Sequence, residues 1–256
     1  MDVFGLTDQG AERERNEDSI LLNEGIRLFI VADGMGGHAR GDVASKTAVL
    51  LINDFLEERI PQEDRSFLES DAIVLRLLQE GVEKASRGIY EYSQDLGQGT
   101  IMGTTVSLAL IRNRKLYTAH VGDGRIYRLR KERIEKLTKD HSRVQELVDR
   151  GVIGEDEAAG HKLSHVLTRA LGSGESVETD LNIFDIRRGD VFLMATDGLF
   201  RVMSVEGVKS ILKSRVPAEK RCQMLLDETL RGEAPDNVSM IILDFRKRRF
   251  LKSIFS

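Results

Sequence analysis

Asp33, Asp123, Asp197 and Asp236 each stand beside glycine or asparagine at the edge of an apolar run, in LFIVADGMGG, LYTAHVGDGR, VFLMATDGLF and PDNVSMIILDF. A run such as Leu28-Phe29-Ile30-Val31-Ala32 predicts a buried strand. An acid at its end, followed by Gly34, puts a carboxylate where the chain leaves the core and turns. Repetition of the device along the chain predicts that the carboxylates converge on one point. Converging like charges repel, so something positive must hold them together. Hard divalent cations, Mg²⁺ or Mn²⁺, prefer oxygen ligands and suit such a set.

The elements that must present these acids follow from periodicity. Strands are expected at Val3 to Thr7, Ser19 to Asn23 and Arg27 to Ala32, then helices from Gly41 to Glu58 and from about Asp71 to Leu96. In the second helix Leu75, Leu78, Val82, Ala85, Ile89, Tyr92 and Leu96 are spaced by three and four, one helical stripe that reads as core. Short strands follow at Thr104 to Ile111, Lys115 to Val121, Arg125 to Arg130 and Ile134 to Leu137. Their three-residue connections, Arg112 to Arg114 and Lys131 to Arg133, imply an antiparallel meander. A polar stretch from Asp140 to about Leu171 is helical in short pieces. Strands return at Leu181 to Ile186 and Asp190 to Ala195, then helices at Ser204 to Ser214 and Pro217 to Arg231, and a last strand at Val238 to Phe245. The order predicts an α+β fold: a four-layer α-β-β-α sandwich of two antiparallel sheets, each flanked by a pair of antiparallel helices.

The 256 residues carry no repeat or Pro/Ser-rich linker, which reads as one domain over 1–246, with an insert at about 139–171 and a short basic tail at 247–256. A net charge of −4 with mixed signs argues against a dedicated nucleic-acid binder. Cys222, the single cysteine, cannot form an internal disulfide and reads as a buried structural thiol in a reducing compartment. No signal-like segment and no apolar run of the ~18–20 residues that span a bilayer is present, so a cytoplasmic location is expected. The basic tail could anchor to acidic lipid. A frayed end, or an edge packing its Phe and Ile on the domain, is the preferred reading over membrane contact.

Gly34-Met35-Gly36-Gly37-His38-Ala39 formally fits a dinucleotide fingerprint. A Rossmann unit needs a parallel strand soon after the helix, whereas a second long helix follows here, and Asp33 would oppose a pyrophosphate. The glycines instead let backbone pass close to a metal, with the Gly34 carbonyl available as a ligand. Arg13-Glu14-Arg15-Asn16-Glu17-Asp18, taken alone, is a charged surface turn. In company with VADGMGGHARG, MGTTVSLAL, AHVGDGRIYRL, LTKDHS, VLTRALG, LMATDGLF and PDNVSMIIL, the segment RERNEDS gives the chain a close resemblance to the metal-dependent protein phosphatases of type 2C, in their short bacterial form. The matching segments span nearly the whole chain in the family's order.

The resemblance implies hydrolysis of phosphoserine and phosphothreonine by a water or hydroxide bridging two Mn²⁺ or Mg²⁺ ions. It implies that Asp33 bridges the ions, that Asp197 and Asp236 complete the shell of the first, and that the Gly34 carbonyl binds the second. Asp18, with Glu17 as a further candidate, would act through coordinated water. Asp123 matches a position that forms a third, weaker metal site with Asp197, and Arg13 matches the phosphate-binding arginine. Phosphorylated proteins, including a cognate serine/threonine kinase or its targets, are the partners implied. A catalytically inactive phosphoprotein-binding relative is the alternative, and a nucleotide-binding enzyme a more distant one.

The assignments agree with elementary chemistry. Enhancements for phosphate monoester hydrolysis reach ~10²¹, while one general acid or base contributes ~10²–10⁴. Paired divalent ions can acidify a water and neutralise phosphoryl oxygens, and arginine adds a planar fork matched to phosphate. Departures from the family are also legible. Met35 stands where some eukaryotic members carry a histidine proposed as general acid. His38 is the candidate to replace it, against a structural or substrate-contacting role. Gly124 replaces a frequent serine, Lys162 a proline and His165 an asparagine, the last two in the region that forms the family's flap. His120 lies in a strand and reads as a satisfied core residue. His141, His161 and His165 lack zinc-site spacing.

Overall fold

Strands that are apolar without alternation need cover on both faces. The computed structural model, which describes residues 1–35, 40–60, 70–97, 102–158 and 161–246, provides it. One antiparallel sheet has the order β1 (Asp2–Asp8), β11 (Val238–Asp244), β10 (Val191–Ala195), β7 (Arg125–Arg130) and β8 (Arg133–Lys136). The other runs β2 (Asp18–Asn23), β3 (Leu28–Met35), β5 (Val106–Arg112), β6 (Lys115–Val121) and β9 (Asp180–Asp185), with the short β4 (Gly103–Thr104) also paired to β3.

Alternate side chains of single strands feed different cores. In β3, Leu28, Ile30 and Ala32 face α1 (Gly41–Arg59) and α2 (Asp71–Asp95), while Phe29 and Val31 join Phe192, Met194, Ile241 and Leu243 between the sheets. In β10 and β11, Leu193, Ala195, Met240 and Ile242 pack toward α6 (Val205–Lys213) and α7 (Ala218–Arg231). The layers are therefore helices, sheet, sheet, helices, as the apolar pattern predicts. Phe29 is fully buried, so truncation to alanine would cost ~3–5 kcal/mol. β3 pairs antiparallel with both β2 and β5, which removes the parallel crossover a dinucleotide site requires.

Several expectations change in detail. The meander is not one sheet: β5 pairs β6 in one layer and β7 pairs β8 in the other. Gly122, at φ +108°, turns the chain between layers, a conformation that favours glycine. Asp33 lies inside β3, paired with Asp18, not at the strand's end. The strand expected from Thr104 to Ile111 breaks at Thr105, whose backbone N–H instead donates to the Asp33 carbonyl at 2.8 Å. The α2 stripe is core at Leu78, Val82, Ala85 and Ile89, but Tyr92 and Leu96 are exposed where the helix outruns the sheet. A short helix, α5 (Asp197–Val202), was not expected from periodicity, being too brief for a stripe. The polar stretch contains α3 (Arg143–Asp149) and α4 (Glu155–Ala158). The basic tail at 247–256 lies outside the described residues.

Cys222 is buried on α7, its thiol 3.7 Å from the Phe4 carbonyl, and burial pushes its pKa up to about 12. Among the described residues, no helix is long and apolar enough to cross a membrane.

Candidate metal centre

A cleft of about 740 Å³ is lined by Arg13, Glu17, Asp33, Gly34, Asp123 and Asp197, with Asp236 and the neutral Asn237 beside them. Asp18 lies directly beneath it, as the register partner of Asp33 across β2 and β3. The structure thus brings together every candidate named above except His38, which lies outside the described residues.

Each acid is held by local structure. Asp33 is fixed through its backbone: its N–H donates to Thr105 Oγ1 at 3.0 Å, and its carbonyl accepts from Thr104 Oγ1 at 2.9 Å. Asp18 accepts at Oδ2 from Thr196 Oγ1 at 2.9 Å, a contact that crosses from one sheet to the other. Asp123 follows Gly122 at the crossing between layers. Asp197 opens α5 directly after β10, and Asp236 turns into β11, accepting from the Asn237 N–H at 2.9 Å.

Gly34 is glycine for lack of space. A Cβ there would lie 2.0 Å from the Gly41 carbonyl oxygen and 2.5 Å from that of Glu17. Its N–H donates to the Glu17 carbonyl at 3.1 Å, locking the Arg13–Asp18 segment against β3.

The electrostatics are those of crowded, buried anions. Burial, then Asp18, Asp197, Asp123 and Asp236, lifts the Asp33 carboxyl well above the usual carboxylate range. Burial raises Asp18 to about 7, with hydrogen bonds from Ser239 and Thr196 opposing. Burial followed by Asp197 and Asp140 raises Asp123 to about 8. Asp197 is raised by burial and Asp236, against the pull of Arg201.

Two arginines neutralise part of this charge. Arg13 Nη2 donates to Asp236 Oδ2 at 2.9 Å while its Nε lies 2.8 Å from Oδ1. Arg201 donates to Asp197 Oδ2 from Nε at 3.1 Å and from Nη2 at 2.7 Å, and its Nε is 3.2 Å from Asp236 Oδ2.

The residues fit a divalent-metal centre by their donor chemistry. Asp18 Oδ1 and Asp197 Oδ1 are buried oxygens with no hydrogen-bond partner, and the surrounding anions are stable only if protonated or matched by positive charge. Among the described residues, no three His, Cys, Asp or Glu side chains are grouped tightly enough to hold an ion as they stand. Arg13 pairs with Asp236, and Arg201 with Asp197 and Asp236.

Arg201, Thr196 and Asn237 went unrecognised in the sequence. Arg201 follows Asp197 by four residues, a spacing that marks a helix-face ion pair once α5 is known to be a helix. Asn237 Oδ1 accepts from the Glu17 N–H, and its Nδ2 donates to the carbonyls of Gln9 and Arg15, pinning the Arg13 loop. His120 is a satisfied core residue as expected, between Ser107 Oγ and the Lys139 carbonyl, each at 3.1 Å. Of the remaining histidines, His165 lines the cleft and His161 accepts from the Leu163 N–H.

A sandwich that gathers carboxylates from both sheets into one cleft and sets arginines against them has the design of a divalent-metal hydrolase. The profile of the Protein phosphatase 2C family matches residues 10–233, and the chain belongs to that family. It is 32% identical over 241 residues to the serine/threonine phosphatase stp of Listeria monocytogenes, covering 93% of each chain. It is 36% identical to the serine/threonine protein phosphatase PstP of Mycobacterium tuberculosis, covering 93% of this chain and 44% of PstP. The crystal structure of the PstP catalytic domain in complex with two manganese ions superposes with a TM-score of 0.82 at 31% identity, over 96% of this chain and 98% of that one.

Proposed function

We propose that this protein is a metal-dependent protein serine/threonine phosphatase that hydrolyses phosphoserine and phosphothreonine with two Mn²⁺ or Mg²⁺ ions. The observation that carries the reading is the convergence of Asp33, Asp123, Asp197 and Asp236 in one cleft with Arg13, over the buried Asp18. Asp33 would bridge the ions, with Asp197 and Asp236 on the first, and the Gly34 carbonyl and Asp18 on the side of the second. Asp123 and Asp197 would serve a weaker third site. Bound ions supply charge that acidifies a water and neutralises phosphoryl oxygens.

The chain's own residues do the rest. Arg13 would offer the phosphate the Nη1/Nη2 edge of its guanidinium, the Nε/Nη2 edge being tethered by Asp236 and the loop pinned by Asn237. Thr196 keeps Asp18 turned toward the other acids. Asp33 is held through its backbone, by the hydroxyls of Thr105 and Thr104. Met35 carries no titratable proton, which leaves His38 as the candidate acid from this segment.

The reading extends to a single catalytic domain over 1–246, with the segment at about 139–171 as a flap beside the cleft. His165 and Leu167 of that segment line it. It further extends to a cytoplasmic setting and to phosphorylated proteins as substrates, among them a cognate kinase or its targets. The test is hydrolysis of an aryl phosphate and of a phosphothreonine peptide with Mn²⁺, with and without chelator. Metal-dependent release of phosphate is expected. Tight binding of the peptide with no turnover would instead identify an inactive phosphoprotein-binding protein.

A further inference from the structure

The arginines around the cleft are not equivalent. Arg13 is committed to Asp236, and Arg201 to Asp197 and Asp236. Arg15 acts electrostatically on Glu17, together with Arg13. Arg40 differs from these. It lines the same cleft and is exposed, and among the described residues its hydrogen bond runs to an uncharged group: Nη1 donates to the Tyr92 hydroxyl at 3.1 Å.

Two features hold Arg40 in place. Its backbone sits at φ 64° and ψ 51° immediately before α1, a left-handed conformation that fixes where the side chain departs. The Tyr92 hydroxyl then anchors the guanidinium from α2, at the exposed end of the helical stripe. An arginine with one donor spent on a neutral oxygen keeps most of its planar fork for an anion. Two carboxylates reach the same rim, Glu14 and Glu17. Burial and the neighbouring Asp42 raise the Glu17 carboxyl, with Arg13, the Gly41 N–H and Arg15 opposing.

We propose that Arg40, anchored by Tyr92, is a specificity residue that binds an anionic side chain adjoining the phosphorylated residue, and so favours acidic phosphopeptides. The proposal rests on the phosphatase reading and names the substrate class of that site. The anion is an aspartate or glutamate, or a second phosphorylated residue. Both present the paired oxygens a guanidinium recognises.

The test compares phosphoserine peptides that differ only beside the phosphoserine, carrying alanine, glutamate, lysine or a second phosphoserine, on either side. With Mn²⁺ at low ionic strength, the glutamate or doubly phosphorylated peptide is expected to exceed the alanine peptide in kcat/KM by about fivefold, chiefly through KM. The lysine peptide should fall below alanine. The preference should shrink in ~0.5 M salt, where the Debye length falls to a few ångströms. Preference for glutamate identifies a carboxylate partner, and preference for the doubly phosphorylated peptide alone identifies a second phosphate.

Arg40→Asn, whose asparagine tolerates the left-handed backbone, should bring the acidic-to-neutral ratio to about one, while Arg40→Lys retains part of it. Tyr92→Phe, which leaves the backbone at Arg40 untouched, should lower the ratio as well. An undiminished ratio in Arg40→Asn and Tyr92→Phe would overturn the proposal, and so would a wild-type protein that hydrolyses all peptides alike. A protein that hydrolyses neither peptides nor aryl phosphate would remove the phosphatase reading and this proposal together.

Discussion

Asp18→Asn should stabilise the metal-free protein, and increasingly so as pH rises. Asp18 is buried, with Oδ2 bonded to Thr196 and Oδ1 without a partner, and its carboxyl is pushed up from 3.8 to about 7. A folded-state value above the unfolded one means that the native protein keeps a proton the unfolded chain has shed. The stability contributed by this group is therefore fully present below about pH 4 and is lost as pH rises through about 7. Each unit corresponds to ~1.4 kcal/mol, so a gap of roughly three units amounts to ~4 kcal/mol at most. Asp33 and Asp197 share this titration with Asp18, and assigning about half to this residue leaves ~2 kcal/mol. Asparagine keeps an acceptor for Thr196 and carries no charge.

Urea unfolding in chelator, followed by circular dichroism at several values between about pH 4 and pH 8, reads the difference directly. The gap between variant and wild type should widen in the variant's favour by ~2 kcal/mol across that range, equivalent to ~4–8 °C in Tm for a chain of this size. A gap that stays constant with pH, or a wild type that gains stability toward pH 8 without metal, would refute the reasoning. Saturating Mn²⁺ should reverse the order, since ligands that bind only the native state stabilise it.

Asp197→Asn should reduce turnover to background in limiting Mn²⁺ while leaving the circular dichroism spectrum unchanged; near-normal activity would refute its assignment. Arg13→Ala should raise KM for aryl phosphate by about tenfold or more, as loss of a charge-assisted contact implies, and an unchanged KM would exclude phosphate binding. Gly34→Ala, whose Cβ would lie 2.0 Å from the Gly41 carbonyl oxygen, should lower Tm by more than 5 °C or prevent folding, whereas Gly174→Ala, with its nearest neighbour at 3.9 Å, should melt like wild type. Arg221, fully buried against Asp244, should cost ~1.5–3 kcal/mol on replacement by alanine in urea unfolding, the value of a hydrogen bond to a charged group, since Asp244 keeps Arg246 as a partner.

The acids were legible in the sequence because a carboxylate beside glycine after a continuous apolar run contradicts the core around it, and only a site resolves the contradiction. The layers were legible because β3, β10 and β11 bury both faces and so lack polar alternation. What escaped was long-range. Whether β6 and β7 share a sheet depends on partners far along the chain, and a three-residue turn looks the same in either case. Arg201 lay hidden in a helix shorter than two turns, and Asn237 acts through bonds to residues more than two hundred positions away. Tyr92 fitted the helical stripe and gave no sign that it would pair with Arg40.

Asp18 and Asp33 ride on one sheet, while Asp197 and Asp236 ride on the other, and the Thr196 hydroxyl spans the seam. Neither half of the sandwich owns enough of the centre to work alone. Catalytic competence therefore requires the two halves to be docked. A chain with only one layer formed would lack half of the acids and could not act on phosphorylated proteins.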